Sequence, residues 1–378
     1  MLTGKTILIA VDAPIVTCPR PKRLLNYLSR LNKVDVLSRT PSQISPAKRN
    51  FYLVKSQLSP FEQTLRSIGL TLNCLGWVAQ LDMRKYLHNL DDLEQYDLIF
   101  VHDIHLLPLF KKVLHKVVFD AREFYPLQNS EDKQWQYQVG RVFHSLCEQY
   151  LKHCKVRLTV SSSIVELYEQ WLDIPFVLFR SYPDGELPQI DPHQKINRPI
   201  KLIHHGGAMP NRRLEHLIDL AGVLGDGFEL TLMLMPTVPA YLTDLKKRAA
   251  QFSNIRFIAP VAFEHIIHNL TKYDIGIHLM EPQGGNQHEF ALPNKFFEFV
   301  GAGLMLVVSG SKEMVTLVNQ YKTGVGFEYL PEIQEVANVL NQLTDKDIST
   351  YKSNSLQVRQ DLTFDKEVTR LEQILTQE

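Results

Sequence analysis

Short runs of β-branched and apolar residues alternate with stretches of helical spacing along most of the chain. Near the N-terminus, the runs TILIAV and KVDVLS flank the helical segment PKRLLNYLSRLN. Further strand-like runs follow as DLIFVH, KVVFDA and RLTVSS, and a second series begins at IKLIHHGG. Strands that alternate with helices form βαβ units, whose strands are parallel. The sequence therefore predicts an α/β fold built on parallel sheets.

The length of the chain indicates two such sheets. It has 378 residues, more than one hydrophobic core usually supports. The segment FRSYPDGELPQIDPHQKINRP is rich in proline and polar residues and lacks periodicity, which is typical of an interdomain linker. We predict a Rossmann-like domain over residues 1–182 and a second one over 196–350. Residues 351–378 are predicted to end in a helix that can cross back to the first domain.

Composition and charge exclude several classes of protein. Lys and Arg together number 41, as do Asp and Glu, so no global field attracts nucleic acid and any anion site must be local. The four cysteines lack a CxxC pair, which predicts neither a disulfide framework nor a zinc site. Apolar runs are too short for a secretory or membrane-spanning segment. These features predict a cytoplasmic protein.

The segment FALPNKFFEF predicts a helix N-terminus that faces a ligand. A strand ends near Met280, a polar loop follows, and Pro293 suits the first helical position. The unpaired N–H groups of a first helical turn favour an anion such as a diphosphate. Asn294 and Lys295 lie in that turn, and Lys295 adds a full positive charge. Glu298 lies one turn later on the same face, where its carboxylate can accept hydrogen bonds from ribose hydroxyls.

A second predicted anion site follows the strand IKLIHHGG. Gly206 and Gly207 allow the backbone to approach a ligand closely. In the next residues, PNRRLE, Asn211 is a candidate N-cap for a helix that begins at Arg212. Arg212 or Arg213 then supplies a cation, and Arg212 is the favoured one.

Polar residues also follow two predicted strands of the first domain. Asp103 and His105 come after DLIFVH, and Asp120, Arg122 and Glu123 come at and after the end of KVVFDA. Because ligands bind at the carboxyl ends of parallel strands, these side chains are expected at the edge of a cleft. His105 is either an acid/base group there or a hydrogen-bonded structural residue.

The residues ALPNKFFEFVGAGLMLVVS resemble the helix and strand of retaining glycosyltransferases of the GT-B fold, in particular family 4 members of bacterial capsule, exopolysaccharide and lipopolysaccharide synthesis. HHGGAMPNRRLE is similar to the strand end and cationic helix start of the same family. The resemblance implies an α/β fold of GT-B architecture, with two Rossmann-like domains whose parallel sheets face a central cleft. It is strongest from Lys201 to Gly326.

The resemblance also implies roles for individual residues. Arg212 and Lys295 would bind the donor's phosphates, with Gly206, Gly207 and Asn294 beside them, and Glu298 would bind the ribose. Glu289 is one position away from the family's first glutamate; it either approaches the transferred sugar or is a solvated loop residue. FDAREF is similar to a family motif that ends in His and Glu, which makes Glu123 a candidate catalytic residue. Arg122 replaces that histidine and cannot act as a base.

The implied function is transfer of a sugar from a nucleoside diphosphate sugar to a lipid-linked or oligosaccharide acceptor, with retention of configuration. No metal or other cofactor is expected, because no DxD-like pair occurs in a clear context. The basic segments and the region 51–86 have two possible interpretations. They are either ordinary solvated surfaces or surfaces for peripheral association with the inner membrane. Two other functions remain open: a GT-B-like sugar-nucleotide epimerase and a non-catalytic subunit of this fold.

Overall fold

A computed structural model describes residues 2–88, 90, 92–191, 194–281 and 287–377. The chain divides into two compact units. The N-terminal unit comprises Met1–Arg180 together with Asp365–Glu378, and the C-terminal unit comprises Ser181–Phe364. The first unit therefore draws on both ends of the chain, whereas the second is continuous. Part of the polar loop predicted after Met280, residues 282–286, lies outside the described residues.

The N-terminal unit contains a parallel sheet, which has seven strands among the described residues, in the order β3-β2-β1-β6-β7-β8-β9. Two short strands, β4 and β5, form a separate antiparallel pair. The strands are β1 Thr6–Ala10, β2 Lys33–Ser38, β3 Arg49–Tyr52, β4 Val54–Lys55, β5 Tyr86–Leu87, β6 Leu98–Val101, β7 Val117–Ala121, β8 Val156–Thr159 and β9 Val177–Leu178.

Most helices of this unit follow the apolar periodicity of the sequence. They are α1 Pro19–Leu28, α2 Pro60–Thr71, α3 Leu75–Met83, α4 Lys133–Trp135, α5 Arg141–Tyr150, α6 Ser162–Leu172 and α14 Phe364–Gln377. A π-helical turn, Gln136–Gly140, joins α4 to α5, and a 3₁₀ segment, Ile104–Phe110, follows β6. The side chain of Ser161 caps α6 by accepting a hydrogen bond from the N–H of Ile164.

Helix α14 is held by residues from distant parts of the same unit. The backbone N–H of Arg180 donates to Glu367 over 2.6 Å, and that of Leu2 donates to Glu372 over 3.1 Å. Val368, Leu371 and Leu375 bury the apolar face of the helix. The last helix of the chain is thus an integral part of the N-terminal unit.

The C-terminal unit contains a second parallel sheet, of six strands among the described residues, in the order β12-β11-β10-β13-β14-β15. Its strands are β10 Ile200–Gly207, β11 Phe228–Met235, β12 Ile255–Ile258, β13 Ile275–His278, β14 Met305–Ser309 and β15 Gly324–Phe327. Its helices are α7 Glu215–Leu224, α8 Pro239–Ala249, α9 Ile266–Leu270, α10 Asn294–Gly301, α11 Lys312–Tyr321, α12 Ile333–Gln342 and α13 Asp345–Val358.

The order of the second sheet fixes where a ligand is expected. The chain runs outward from β10 to β12 on one side and then returns to place β13 on the other side of β10. This reversal is the topological switch point of a Rossmann-type sheet, and a crevice opens there at the carboxyl ends of the strands. In this unit the crevice lies at the ends of β10 and β13. Apolar clusters cover both faces of the sheet and hold these strand ends in place.

In the described residues, no helix combines the length and the apolar character needed to cross a bilayer.

Candidate functional site

The carboxyl end of β10 carries two glycines whose surroundings exclude side chains. Gly206 has φ +137°, a value that favours glycine. A Cβ atom there would lie 3.0 Å from a terminal nitrogen of Arg212 and 3.2 Å from Nζ of Lys295. At Gly207 a Cβ atom would lie 2.6 Å from the hydroxyl oxygen of Thr237. Two cations therefore pack against the backbone of Gly206, at the switch point of the sheet.

Lys295 is the centre of this arrangement. It is the second residue of α10, and its side chain is buried, with 7% of the residue exposed. Its Nζ atom lies 3.5 Å from Nε2 of His204 on β10 and 3.5 Å from Nδ1 of His278 on β13. Gly206, Arg212, Lys295, His204 and His278 together are called the Lys295 cluster below. The cluster joins the ends of two neighbouring strands to the first turn of a helix.

Burial determines the protonation behaviour of the Lys295 cluster. Burial and the charge of Arg212 lower the pKa of Lys295 well below its ordinary value, although Glu298 acts in the opposite direction. Burial also lowers the pKa of Arg212. Burial and the positive charge of Lys295 hold the pKa of both His204 and His278 well below 6.5, so these imidazoles are neutral at pH 7. Neither histidine balances the charge of the lysine, and an anion bound here would do so.

The start of α10 also suits an anion. Pro293 occupies the N-cap in an extended conformation, and Asn294 is the first helical residue. Pro293 was predicted at the first helical position, so the helix begins one residue later than expected. Because proline has no polar side-chain atom, it cannot cap the N–H groups of the first turn. Those groups and the Lys295 ammonium belong to the same helical turn.

Glu298 lies one turn after Asn294 in α10 and is 4% exposed. Its Oε2 atom is 3.3 Å from Nε2 of His205, whose ring packs edge-on against Phe299. Burial, together with the charge of Lys295, lowers the pKa of His205 to about 3, so this imidazole is neutral at pH 7. Glu298 is therefore a buried carboxylate in the same helix as Lys295, suited to accept hydrogen bonds from hydroxyl groups.

The predicted helix start at Arg212 is wrong. Residues Pro210–Arg212 form a 3₁₀ turn, Arg213 is left-handed with φ +46°, and α7 begins at Glu215. The hydroxyl of Tyr241, from α8, accepts a hydrogen bond from the N–H of Leu214, the N-cap residue, over 2.9 Å. A neighbouring helix thus caps α7. Arg212 contributes its guanidinium to the Lys295 cluster, but no α-helix begins at this residue.

The two candidate arginines have separate surroundings. Arg212 lies against Gly206 within the Lys295 cluster. Arg213 points to a half-exposed ion pair with Glu281. Arg212 is accordingly the arginine that the structure brings to Lys295.

Glu289 lies in a short 3₁₀ segment, Gln287–Glu289, before α10. Its carboxylate forms an ion pair with Lys312, at 2.7 Å, in the first turn of α11. The residues around it, His288 and Ala291, line a pocket that also includes Arg212, His278 and Lys295. The pocket opens beside the Lys295 cluster. Two neighbours of Glu289 in the sequence line this pocket, whereas the carboxylate of Glu289 contacts Lys312.

A second group of polar residues lies at the carboxyl ends of β1 and β6 in the N-terminal unit. Asp12 accepts hydrogen bonds from Nε of Arg39 over 2.6 Å and from the hydroxyl of Tyr86 over 2.9 Å. Nε2 of His105 lies 2.8 Å from the same carboxylate. These four residues are called the Asp12 cluster. Burial raises the pKa of Asp12, but hydrogen bonds from His105 and Arg39 outweigh it, and the pKa is about 2.

The other predicted residues of the N-terminal unit are placed by separate contacts. Arg122 donates to Asp103 over 3.0 Å, and Asp103 in turn accepts from the N–H of Asp12 over 2.8 Å. Asp120 is fully buried and pairs with Arg20, at 2.6 Å, and with His102. Asp120 is therefore a structural anion. Glu123 is half-buried, and its carbonyl accepts a hydrogen bond from the hydroxyl of Tyr168.

Sequence reasoning missed several members of both clusters. Asp12 directly follows the predicted strand TILIAV, and this position at a strand end is the sequence signal that could have identified it as a site residue. His204 and His278 come from adjacent strands, which pair at Leu202–Ile275 and Ile203–Gly276. That pairing carries both rings to one edge of the sheet. Across the described residues, no group of three or more His, Cys, Asp or Glu side chains is arranged to hold a metal ion.

Comparisons with known proteins identify the fold. No family model and no curated protein sequence matches this chain. Its structure is similar to that of the Anabaena protein HepE in complex with UDP-glucose, with a TM-score of 0.70 and 12% identity over 99% of this chain and 100% of that chain. It is similar to sucrose-phosphate synthase from Thermosynechococcus elongatus, with a TM-score of 0.70 and 13% identity over 99% and 98%.

A third similar structure is WaaG, a glycosyltransferase involved in lipopolysaccharide biosynthesis, with a TM-score of 0.61 and 11% identity over 94% of this chain and 97% of that chain. These similarities span nearly the whole of each protein. At such low identity they establish the fold alone. The α/β fold of GT-B type, predicted from the sequence, is confirmed.

Proposed function

We propose that this protein is a glycosyltransferase that uses a nucleoside diphosphate sugar as donor. One observation carries the proposal: Arg212 and Lys295, from separate segments, place their charged groups against the backbone of Gly206 at the switch point of the C-terminal sheet. A buried lysine and a partly buried arginine beside a glycine and a helix start fit a diphosphate. HepE, which shares the fold, has been solved with UDP and with UDP-glucose, and this supports the choice of ligand.

The residues of the Lys295 cluster suit the bond that such a reaction breaks. The anomeric carbon of the sugar leaves a β-phosphate oxygen and bonds to the hydroxyl oxygen of the acceptor. The electron pair of the broken bond stays on the phosphate, and the acceptor's proton passes to a base. Lys295 and Arg212 would stabilise the negative charge that develops on the leaving diphosphate, an effect typically worth several kcal/mol. Because these cations supply the positive charge, we propose that no metal is needed.

Further roles follow the resemblance to family 4. Glu298 would hold the ribose hydroxyls, and its burial one turn from Lys295 supports this role. Glu289 is proposed near the transferred hexose, since its neighbours His288 and Ala291 line the pocket beside Lys295. His105 and Glu123 are proposed on the acceptor side. The transfer is proposed to retain the configuration of the anomeric carbon.

The acceptor is proposed to be a lipid-linked or oligosaccharide intermediate of surface polysaccharide synthesis, at the cytoplasmic face of the inner membrane. Features of α2 and α3 support peripheral membrane association. Phe61, Leu72 and Trp77 are 71%, 68% and 47% exposed. Arg84, directly after α3, is also largely exposed, as a group attracted to anionic lipid would be.

A donor screen tests the proposed function. Isothermal titration with UDP-, GDP- and other sugar nucleotides should show binding of one donor class, and mass spectrometry should show slow hydrolysis of that donor to the nucleoside diphosphate and free sugar. Appearance of an isomerised donor without acceptor would instead identify an epimerase. Absence of binding to every donor would identify a non-catalytic subunit and overturn the proposal.

A further inference from the structure

The N-terminal unit contains a cavity that the donor site leaves unexplained. It lies among α2, α3, α5 and the residues before α5, and one side is formed by β4, β5 and His105. The walls are mainly apolar, with Ala79, Met83, Val139, Val142, Phe143 and Leu146. Cavities of this composition bind the apolar body of a ligand, and a few polar groups then set its orientation.

The polar groups of this cavity are mostly cationic. Lys55, Arg66 and Lys85 line it together with one carboxylate, Asp82. Asp82 pairs with both Arg66, at 2.8 Å, and Lys85. Three cations and one carboxylate leave a surplus of two positive charges at the cavity. Lys55 is exposed and stands 5.8 Å from the centre of the Tyr86 ring, so its ammonium is available to a ligand anion.

His105 connects this cavity to the Asp12 cluster. Its ring stacks between those of Tyr86 and Phe143, with centroid distances of 5.7 and 5.8 Å. Asp12 holds Nε2 of His105, at 2.8 Å, and thereby fixes the orientation of the ring. A half-buried imidazole thus adds a polar group between two aromatic rings of the cavity wall.

We propose that this cavity binds an amphiphilic anion, an apolar chain that ends in a phosphate. The apolar walls would hold the chain, and Lys55, Arg66 and Lys85 would hold the phosphate. This inference deepens the proposed function, because such a compound would be the lipid part of the acceptor, and it rests on that function for its role in catalysis. Binding itself depends on the N-terminal unit alone. The phosphate can belong to a membrane lipid or to a soluble alkyl phosphate.

Titration of the whole chain with octyl phosphate, octanol and inorganic phosphate tests the proposal. Octyl phosphate should bind at least about tenfold more tightly than either fragment, because only it satisfies both the walls and the cations. Equal affinity for inorganic phosphate would show that the apolar walls contribute nothing. Equal affinity for octanol would show that the cations contribute nothing to binding. Either result would overturn the proposal.

Charge reversal at the cavity provides the matched comparison. Lys55→Glu should weaken octyl phosphate binding at least about tenfold, since it removes one cation and adds an anion. Lys112→Glu makes the same change at an exposed lysine that does not line the cavity, and should leave binding unchanged. Equal effects of the two variants would indicate nonspecific attraction and contradict the assignment. Ala79→Trp, which fills the cavity, should abolish binding.

Two further measurements separate this inference from the proposed function and identify the source of the ligand. UDP-glucose titrated into the same variants reports on the C-terminal unit, so loss of octyl phosphate binding with unchanged donor binding would locate the defect in the cavity. Vesicles of phosphatidylcholine with and without dioleoyl phosphatidic acid distinguish the sources. If only the vesicles that contain phosphatidic acid displace octyl phosphate from the protein, the ligand is a membrane lipid. If neither kind of vesicle displaces octyl phosphate, the ligand is a soluble alkyl phosphate.

Discussion

The Nζ atom of Lys295 lies 3.5 Å from Nε2 of His204, a residue 91 positions earlier in the chain. Both side chains are buried, and the histidine is neutral because burial and the lysine's charge lower its pKa. The ammonium group therefore has a polar neighbour that does not neutralise it. A buried cation in such surroundings is costly to the folded state and favourable to a bound anion. The first three predictions follow from this relationship.

Lys295→Ala is expected to weaken binding of the sugar nucleotide by about 10- to 100-fold, the usual effect of losing a charged hydrogen bond. The free energy of unfolding should be no lower than in the wild type, because the substitution removes a buried charge. Lys272→Ala, at an exposed position in the same unit, is the control and should change neither quantity. Calorimetric titration and thermal unfolding measure the two effects. Wild-type affinity in Lys295→Ala would refute the assignment of the diphosphate site.

Donor affinity is expected to fall as the pH rises through the pKa of Lys295 in the free protein. Burial and Arg212 place that pKa well below 10.5, and a bound anion raises it because it stabilises the ammonium. The complex therefore takes up protons between the free and bound pKa values. Titration in buffers of different ionisation enthalpy measures this uptake. Lys295→Arg keeps its charge throughout, so it should lose both the uptake and the pH dependence.

The same depressed pKa affects stability in the absence of ligand. Since Lys295 binds its proton less tightly in the folded than in the unfolded chain, its contribution destabilises the fold at low pH. That penalty diminishes as the pH rises from the folded-state pKa towards 10.5. Lys295→Met should flatten this part of the profile of unfolding free energy against pH.

Gly206→Ala should weaken donor binding by about tenfold or more, since the new Cβ atom must displace a cation and the backbone favours glycine. The methyl group would stand 3.0 Å from Arg212 and 3.2 Å from Lys295. Gly227→Ala is a matched control, because a Cβ atom at Gly227 has no described neighbour within 4 Å. Equal donor affinities for the two variants would show that the cations near Gly206 do not bind the ligand.

Glu298→Ala should separate recognition of the nucleoside from recognition of the phosphates. If the carboxylate holds ribose hydroxyls, affinity for the sugar nucleotide falls by about tenfold, as for a hydrogen bond to a charged group. Affinity for inorganic pyrophosphate should not decrease, because that ligand has no ribose. Parallel titrations with the two ligands make the comparison. A loss for pyrophosphate equal to that for the nucleotide would contradict the ribose assignment.

His105→Gln should lower the rate of sugar transfer to acceptor and leave donor affinity unchanged. The donor residues belong to the C-terminal unit, whereas His105 belongs to the Asp12 cluster. His144→Gln provides a control at a half-exposed histidine of the same unit that does not belong to the Asp12 cluster. Comparison of donor dissociation constants with transfer rates tests the separation. An unchanged transfer rate in His105→Gln would remove this residue from the acceptor side.

The sequence predicted the parts of the fold that depend on local pattern. The parallel sheets follow from short apolar runs separated by helical periodicity, and α10 follows from Pro293, Asn294 and Lys295 in one segment. The start of α7 was mispredicted, because Tyr241 from another helix caps it and Arg213 adopts a left-handed conformation. A tertiary contact of that kind has no local sequence signal.

The candidate sites show the same division between local and nonlocal information. Gly206, Arg212 and Lys295 were each predicted from their own segments, and the structure brings them together. The two histidines beside Lys295 depend on the pairing of β10 with β13, across about 70 residues of chain. Asp12 gains its significance from Arg39, Tyr86 and His105, which come from three other segments. Such clusters become visible only when the strand order is known.

The contribution of α14 to the N-terminal unit has a consequence for synthesis of the protein. Glu367 and Glu372 anchor this helix to Arg180 and Leu2, so the unit is incomplete until α14 has left the ribosome. The continuous stretch Ser181–Phe364 emerges earlier and contains its whole sheet. Domains usually mature in the order of translation. Here the half that is translated first is the half that finishes folding last.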